Sequence, residues 1–386
     1  MTLSITVVGG GLAGLTAAIA CAEGGARVTL HEAHHTLGGR ARSTTGPYVA
    51  NDGTHVFYSD GERYRWLDRR GLTRPSAGIP LRKLATARFR HRGALTGRPP
   101  RALVRGIMGR GRTAPVEQDF GTWATREFGE EAMRAVSGLM GVVTYEADPG
   151  RLSAAFVWER LRRVTAPRYP AVRYVIGGWG ALVDRMAARA RELGVRVETG
   201  ARVDRLPEGP VIVATSLDAA RGLLGDDGLR WESGRAALLD LGLRAEGRDP
   251  FLVSDLDEGG FAEQYSAPDP SLAPAGHRLF QLQMPARREE PGRDTLARLE
   301  ALADLGLPGW RERVTWRRDA IAHHRTGALD LPGRTWRDRP AVDRGEGVWL
   351  AGDMVAAPGL LGEVSIASAL TAAHAFLGRR STVRAA

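Results

Sequence analysis

One cysteine, Cys21, and one lysine, Lys83, are all that 386 residues contain of either type. A lone cysteine excludes an intramolecular disulfide and a multi-cysteine metal site, so no metal centre is expected. Set in an apolar, helix-forming run, Cys21 is expected to pack as a small hydrophobe. With Lys83 alone among 54 basic residues, the formal charge of +10 is carried by arginines scattered along the whole chain. No sustained basic block occurs and no nucleic-acid module accompanies the charge, so nucleic acid is not an expected partner. A G+C-rich coding bias explains the arginine excess better than an anion-binding face does. Long apolar runs are missing too: no segment approaches the roughly 20 apolar residues of a spanning helix. The apolar stretch 3–22 lacks the basic start of a signal peptide, which leads to the expectation of a soluble cytoplasmic protein with no transmembrane segment. Repeats and low-complexity tracts are also absent. A content of 43% hydrophobic and 25% charged residues suits an ordinary globular chain, long enough for two or three lobes.

What is present is concentrated at the two ends. A short β-rich run, 3–8, leads into Gly9-x-Gly11-x-x-Gly14, and a helix is predicted from Leu12 to Glu23. Gly9 permits a tight turn, Gly11 lets the backbone approach a pyrophosphate, and Gly14 lets helix and strand pack closely. Leu12 and Ala13 then open a helix whose N-terminus offers N–H groups and partial positive charge to phosphates. A second strand is predicted at 26–30, and Glu32 stands about 20 residues after the motif, where a carboxylate accepts from an adenosine ribose. Strand, glycine turn, helix, strand and acid in this order predict a dinucleotide-binding α/β lobe. At the other end, Val348-Trp349-Leu350-Ala351 reads as a strand ending in Gly352-Asp353, and Gly362-Glu363-Val364-Ser365 opens an Ala-rich helix.

Leu37-Gly38-Gly39-Arg40, just past the acidic residue, resembles a segment of the flavin amine oxidase and phytoene desaturase superfamily. Three further stretches carry the resemblance: Asn51-Asp52-Gly53-Thr54-His55-Val56-Phe57, the order from Val175-Ile176-Gly177-Gly178 to Val211-Ile212-Val213-Ala214-Thr215, and the C-terminal strand and helix. The resemblance spans nearly the whole chain but is dense only at 7–57, 175–215 and 349–373. It implies a glutathione-reductase-like, Rossmann-type FAD-binding domain with a discontinuous α+β substrate domain. It also implies non-covalent FAD, since Cys21 lies too far upstream for the C-terminal attachment some relatives use. On this resemblance Gly39 and Arg40 would close over the diphosphate, Gly53, Thr54 and His55 would pass beside the flavin ring, and Val203 would read adenine. Gly352 and Asp353 would meet the ribityl chain and phosphate. Glu363, Val364 and Ser365 would present a helix N-terminus to the flavin pyrimidine edge, where reduction leaves negative charge. Many relatives carry glycine where Val364 and Ala369 stand, a departure that makes the backbone approach less close.

Between the ends, helical spacing is predicted over Phe120–Met140 and Leu152–Val164, with a further helix at Ala181–Leu193. Paired strands are predicted at 195–199 and 201–206, a strand at 211–215, and strands of a second sheet at 235–243 and 278–285, with a helix at 295–303 beside them. The resulting division assigns 1–79, 175–232 and 315–386 to the FAD-binding domain, and 80–174 and 233–314 to the substrate domain. His323 and His324, adjacent in a predicted strand, would point to opposite sides, so at most one serves as an acid or base. No catalytic residue is assigned.

The resemblance implies an FAD-dependent oxidoreductase. Lys83 matches no position of the lysine that amine oxidases place near flavin N5, which favours the phytoene desaturase-like branch: dehydrogenation of a hydrophobic small molecule, in bacterial specialised metabolism, by hydride transfer to N5. A flavin amine oxidase, a redox-neutral flavin-dependent isomerase, and a non-enzymatic binding protein such as the Rab GDP-dissociation inhibitors are the alternatives on this architecture. Electron acceptor and oligomeric state are not legible.

Overall fold

The computed structural model describes residues 3–53, 56–166 and 171–383, and for 324, 325 and 379–383 the backbone only. The chain begins β1 (Ser4–Val8), α1 (Leu12–Glu23), β2 (Arg27–Glu32), β3 (Phe57–Tyr58), α2 (Glu62–Asp68), β4 (Ser76–Ala77) and α3 (Leu81–Leu84). It continues through β5 (Arg88–His91), β6 (Ala94–Thr96) and four helices, α4 (Arg101–Met108), α5 (Phe120–Phe128), α6 (Glu130–Thr144) and α7 (Ala154–Val164). Next come β7 (Val172–Val175), α8 (Gly178–Glu192), β8 (Arg196–Thr199), β9 (Val211–Val213), α9 (Leu217–Leu224), β10 (Ser233–Arg244), β11 (Leu252–Asp255) and β12 (Phe261–Gln264). The last elements are β13 (His277–Pro285), α10 (Gly292–Gly306), α11 (Trp310–Arg313), β14 (Val314–Ala328), β15 (Val348–Leu350) and α12 (Gly362–Val383).

The first sheet has the order β15-β9-β1-β2-β8 and is parallel throughout. The central strands β1 and β9 are covered on both faces, so they end in apolar runs: Val7, Val8, Val211, Ile212 and Val213 are all buried. Helix α1 lies against α8 and α12 and is buried from Leu12 through Ile19. Burying side chains such as Leu15 and Ile19 contributes about 1.5–3 kcal/mol each. Cys21 sits in this core, where burial pushes its thiol up to about 12, so it is a packing residue as expected.

The second sheet has the order β14-β10-β13-β12-β11-β5-β6. Its pairs are antiparallel except β11 with β5. Helix α10 packs on it, and α4 to α7 form a separate core around Phe120, Trp123, Trp158 and Met140. A small sheet, β3-β7-β4, stands between the two lobes.

Two expectations are corrected. The helical spacing over Phe120–Met140 belongs to two helices, because Gly129 with φ +85° ends α5 and begins α6. Residues 201–206 form no strand. After β8 the chain turns through Gly200 at φ +66°, and the Gly200 and Ala201 N–H groups donate back to the His34 and Glu32 carbonyls at 2.9 Å. Residue 315, expected as a domain boundary, falls in β14, which pairs with β10 between Val314 and Ala328 with two register shifts, and the chain rejoins the first sheet at β15.

Candidate dinucleotide and substrate site

The glycine turn between β1 and α1 is built from three different constraints. Gly9 adopts φ +106°, and a Cβ there would lie 2.6 Å from the Ala214 carbonyl oxygen. A Cβ on Gly14 would fall 1.8 Å from the Gly9 carbonyl oxygen. Gly11 has φ −77°, and a Cβ there would meet nothing closer than 3.8 Å. Packing therefore requires glycine at 9 and 14, whereas a Cβ on Gly11 would make only ordinary contacts with the Gly38-Gly39 backbone. Helix α1 has no side-chain cap and no acid in its first turn, which leaves its positive end free for an anion. Leu12 and Ala13, the first helical residues, are both buried.

Glu32 is buried beside this turn. One carboxylate oxygen accepts the Gly10 N–H at 2.7 Å and the other the His34 N–H at 2.8 Å. The Gly38 N–H donates to the Gly10 carbonyl at 2.8 Å, which lays the Gly38-Gly39 turn, with φ values of +107° and +54°, alongside Gly11. Only from that position does Arg40 reach Asp353. Its two terminal nitrogens donate to the two Asp353 oxygens at 2.6 and 2.7 Å, across 313 positions of sequence. Burial works to raise the Asp353 carboxyl, but the charge and hydrogen bonds of Arg40 hold it below the usual carboxylate range. The structure thus brings together residues assigned separately to diphosphate and ribityl contacts. A double-mutant cycle of Arg40→Met and Asp353→Asn, read by urea denaturation, should give a coupling of about 1 kcal/mol, modest because Arg40 is part-exposed.

The remaining predicted residues are dispersed around this pair. The Gly352 N–H donates to the Ser368 hydroxyl oxygen at 2.9 Å. Glu363, at the start of α12, accepts from Arg163 at 2.8 Å and from the Leu360 N–H at 3.1 Å, so its carboxylate is engaged with the helical insert and its own turn. Val364 and Ser365 are buried. Val203 is half-buried against the first core. Gly53, with φ +120°, is buried, while Thr54 and His55 lie outside the described residues. His323 is exposed, and the side chain of His324 lies outside the described set. Lys83 feels the charges of Arg278 and Asp249, away from the Arg40–Asp353 pair.

Sequence reasoning missed a buried polar row across the second sheet. Arg318, Asp240, Gln281 and Glu263 are register neighbours on β14, β10, β13 and β12, and so share one face. Arg318 donates to Asp240 at 2.7 Å, to the Asp52 carboxylate at 2.7 Å and to the Asn51 carbonyl at 2.6 Å. Gln281 donates to Asp240 at 2.9 Å and to the same Asn51 carbonyl at 3.0 Å. The row therefore clamps the backbone at 51–52 against the sheet. At its far end the Tyr174 hydroxyl, on β7, donates to Glu263. Burial pushes Glu263 up to about 7, with the Tyr174 hydrogen bond opposing. Burial likewise pushes Asp240 up to about 6, against the charge of Arg318. One signal was available: Gln281 and Gln283 alternate with Phe280, Leu282 and Met284, placing two amides in phase on one face.

A cavity beside Asp353 is lined by Val143, Phe156, Ala328, Leu361 and Val364, with Thr144, Thr326, Arg160 and Arg339 supplying polar atoms. The helical insert thus contributes walls to a space that begins where the two ends of the chain meet.

Residues 7–69 match the NAD(P)-binding Rossmann-like domain family. A search of curated protein sequences gives no match. Among solved structures the chain is similar to an oxidoreductase from Methanosarcina mazei, at 14% identity and a TM-score of 0.74, over 96% of this chain and 99% of that one. It is also similar to cyclohexylamine oxidase from Brevibacterium oxydans, at 16% identity and a TM-score of 0.73, over 99% of this chain and all of that one. Reduced UDP-galactopyranose mutase aligns at 16% identity and a TM-score of 0.73, over 98% of this chain and 96% of that one. At such identities the likeness is one of fold: this chain has the mixed α/β architecture of those enzymes, a Rossmann-type dinucleotide lobe joined to a separate sheet and a helical insert.

Proposed function

We propose that this protein is an FAD-dependent oxidoreductase that dehydrogenates a hydrophobic small molecule. The observation that carries the reading is the convergence of Gly11, the uncapped start of α1, buried Glu32 and the Arg40–Asp353 pair at one place. The donor set fits the group: Gly11 carries no side chain to hold a pyrophosphate off the backbone, the uncapped α1 N-terminus suits its charge, and Glu32 retains lone pairs for ribose hydroxyls. Arg40 offers a planar guanidinium to phosphate oxygens. The first turn of α12, at Val364 and Ser365, would favour negative charge at the flavin pyrimidine edge. When bound, FAD supplies a two-electron acceptor at N5. The chain's own contribution is orientation and exclusion of water, with Val143, Phe156, Leu361 and Val364 as the apolar side chains beside Asp353.

Oxidation of a C–N bond is the second reading, favoured by the likeness in fold to cyclohexylamine oxidase. The test begins with the purified protein, which should be yellow and release FAD to the supernatant on acid precipitation. A colourless protein that cannot be reconstituted with FAD would overturn the reading. Anaerobic bleaching by simple amines, with aldehyde release, would move it to the second.

A further inference from the structure

Basic residues are spread along the chain, but acidic ones are not. Between Asp68 and Glu117 lie 48 residues with thirteen arginines and lysines and no aspartate or glutamate. That segment alone carries more positive charge than the chain's net +10. It also holds four of the six large hydrophobic side chains that stand exposed among the described residues: Leu81, Leu84, Val104 and Met108, the last 79% exposed. Single exposed apolar side chains are ordinary, whereas a gathering of them rimmed by polar residues marks an interaction surface. Topology holds the segment together. Strands β5 and β6 form the edge hairpin of the second sheet, with Phe89 opposite Thr96. Helix α3, just before β5, and α4, just after β6, therefore leave from the same end of it.

Helix α4 presents the clearest face. Arg101, Val104, Arg105 and Met108 are all exposed, and their spacing puts them on one side of the helix. The other side is pinned: a Cβ on Gly106 would lie 2.4 Å from Val136, and one on Gly109 2.3 Å from Phe128. At that closeness α4 cannot roll its outer face inward. Arg82, Arg98, Arg101 and Arg105 are exposed and form no ion pair among the described residues. Every acid of the neighbouring α5 and α6 is taken: Glu127 by Arg112 and Arg126, Glu130 by Arg134, Glu131 by Arg92. A face that is basic, free of competing acids and tipped with aliphatic side chains fits the headgroup layer of an anionic bilayer. Nucleic acid would use the charge but not Val104 or Met108. Phe89, the one phenylalanine, tyrosine or tryptophan of the segment, is half-buried, which leaves no platform for base stacking. We propose that this protein docks on anionic membrane surfaces through the outer face of α4, with Met108 entering the headgroup layer and Arg101 and Arg105 meeting lipid phosphates. The contact is peripheral, and it stands apart from the oxidoreductase reading because it involves no turnover.

The test is co-sedimentation of the full-length protein, as purified, with vesicles of phosphatidylcholine alone and of phosphatidylcholine mixed equally with phosphatidylglycerol. The mixed vesicles should carry the protein down at low salt and release it at high salt, which screens the lipid charge. Phosphatidylcholine alone should leave it in solution. Arg101→Gln combined with Arg105→Gln should weaken binding to mixed vesicles roughly thirtyfold, about fivefold for each arginine at an anionic surface. Arg191→Gln combined with Arg288→Gln removes the same charge from exposed arginines on α8 and after β13. That pair should bind within about twofold of wild type, since charges beyond a Debye length from the lipid contribute little. Seating is read separately from charge. Cys21 is buried, so Met108→Cys can carry a nitrobenzoxadiazole label at its own thiol, and the emission should shift to the blue on mixed vesicles. Equal losses from the two arginine pairs would reduce the effect to net charge, and an unshifted label would leave α4 outside the headgroup layer. Tighter binding to a DNA duplex than to mixed vesicles would assign the face to nucleic acid. Any of these results, or equal binding to the two kinds of vesicle, overturns the proposal.

Discussion

Gly11→Ala should fold like the wild type and lose most of its affinity for FAD, whereas Gly14→Ala should fail to fold. The difference follows from the two positions. A methyl at residue 14 would stand 1.8 Å from a backbone oxygen that cannot move without unravelling the turn. A methyl at residue 11 meets nothing within 3.8 Å, and φ −77° with ψ −172° is a conformation alanine adopts freely. Replacing glycine where alanine fits restricts the unfolded chain and stabilises by about 0.4–1 kcal/mol. The same methyl projects into the space the pyrophosphate would use, and overpacking there costs about 1–3 kcal/mol, or roughly fivefold to 150-fold in affinity. Thermal denaturation of apoprotein and fluorescence titration with FAD measure the two effects separately. Unchanged FAD affinity in Gly11→Ala would show that the open space beside the turn is not the phosphate site.

Glu263→Gln should stabilise the protein at pH 8 and leave it unchanged at pH 4. Glu263 is raised in the folded state from 4.5 to about 7, so the folded protein holds its proton more tightly than the unfolded chain does. Stability from such a group is complete below pH 4.5 and is lost as pH rises through 7. Ionising a carboxyl confined between β12 and the Tyr174 hydroxyl therefore costs the fold on the order of 3 kcal/mol at pH 8. Glutamine keeps the shape and an acceptor for Tyr174 without the charge. Asp240, raised in the same direction to about 6, should give both proteins a residual decline above pH 4. Urea denaturation at the two pH values checks this. A Gln variant that is less stable by the same amount at both would show that the carboxyl is needed as a neutral donor rather than burdened by its charge.

Both experiments address residues that differ in how far the sequence reveals them. Gly9, Gly11 and Gly14 are legible because their roles are local: the turn, the helix start and the close packing all lie within a few residues. The extent of α1 could be read for the same reason, as could β10 and β13, whose alternating composition reflects neighbours on the pleat. Residues 201–206 mislead because a Val-x-x-Leu pattern specifies only that a strand is tolerated. Forming one requires a ladder with a neighbouring strand, and the positive φ of Gly200 breaks the extended backbone just after β8. The stretch 120–140 misleads because helical spacing continues in phase across Gly129, whose positive φ nevertheless ends one helix and starts another.

The sequence by itself determined the dinucleotide turn, the acid that follows it and the C-terminal strand and helix, since each is specified by side chains close together along the chain. Only the tertiary structure decided that Arg40 and Asp353 form a pair and that Asp240, Gln281 and Glu263 share a buried row. Those facts depend on strand register and on which charges end up buried together, and both are fixed by packing between segments from tens to hundreds of residues apart.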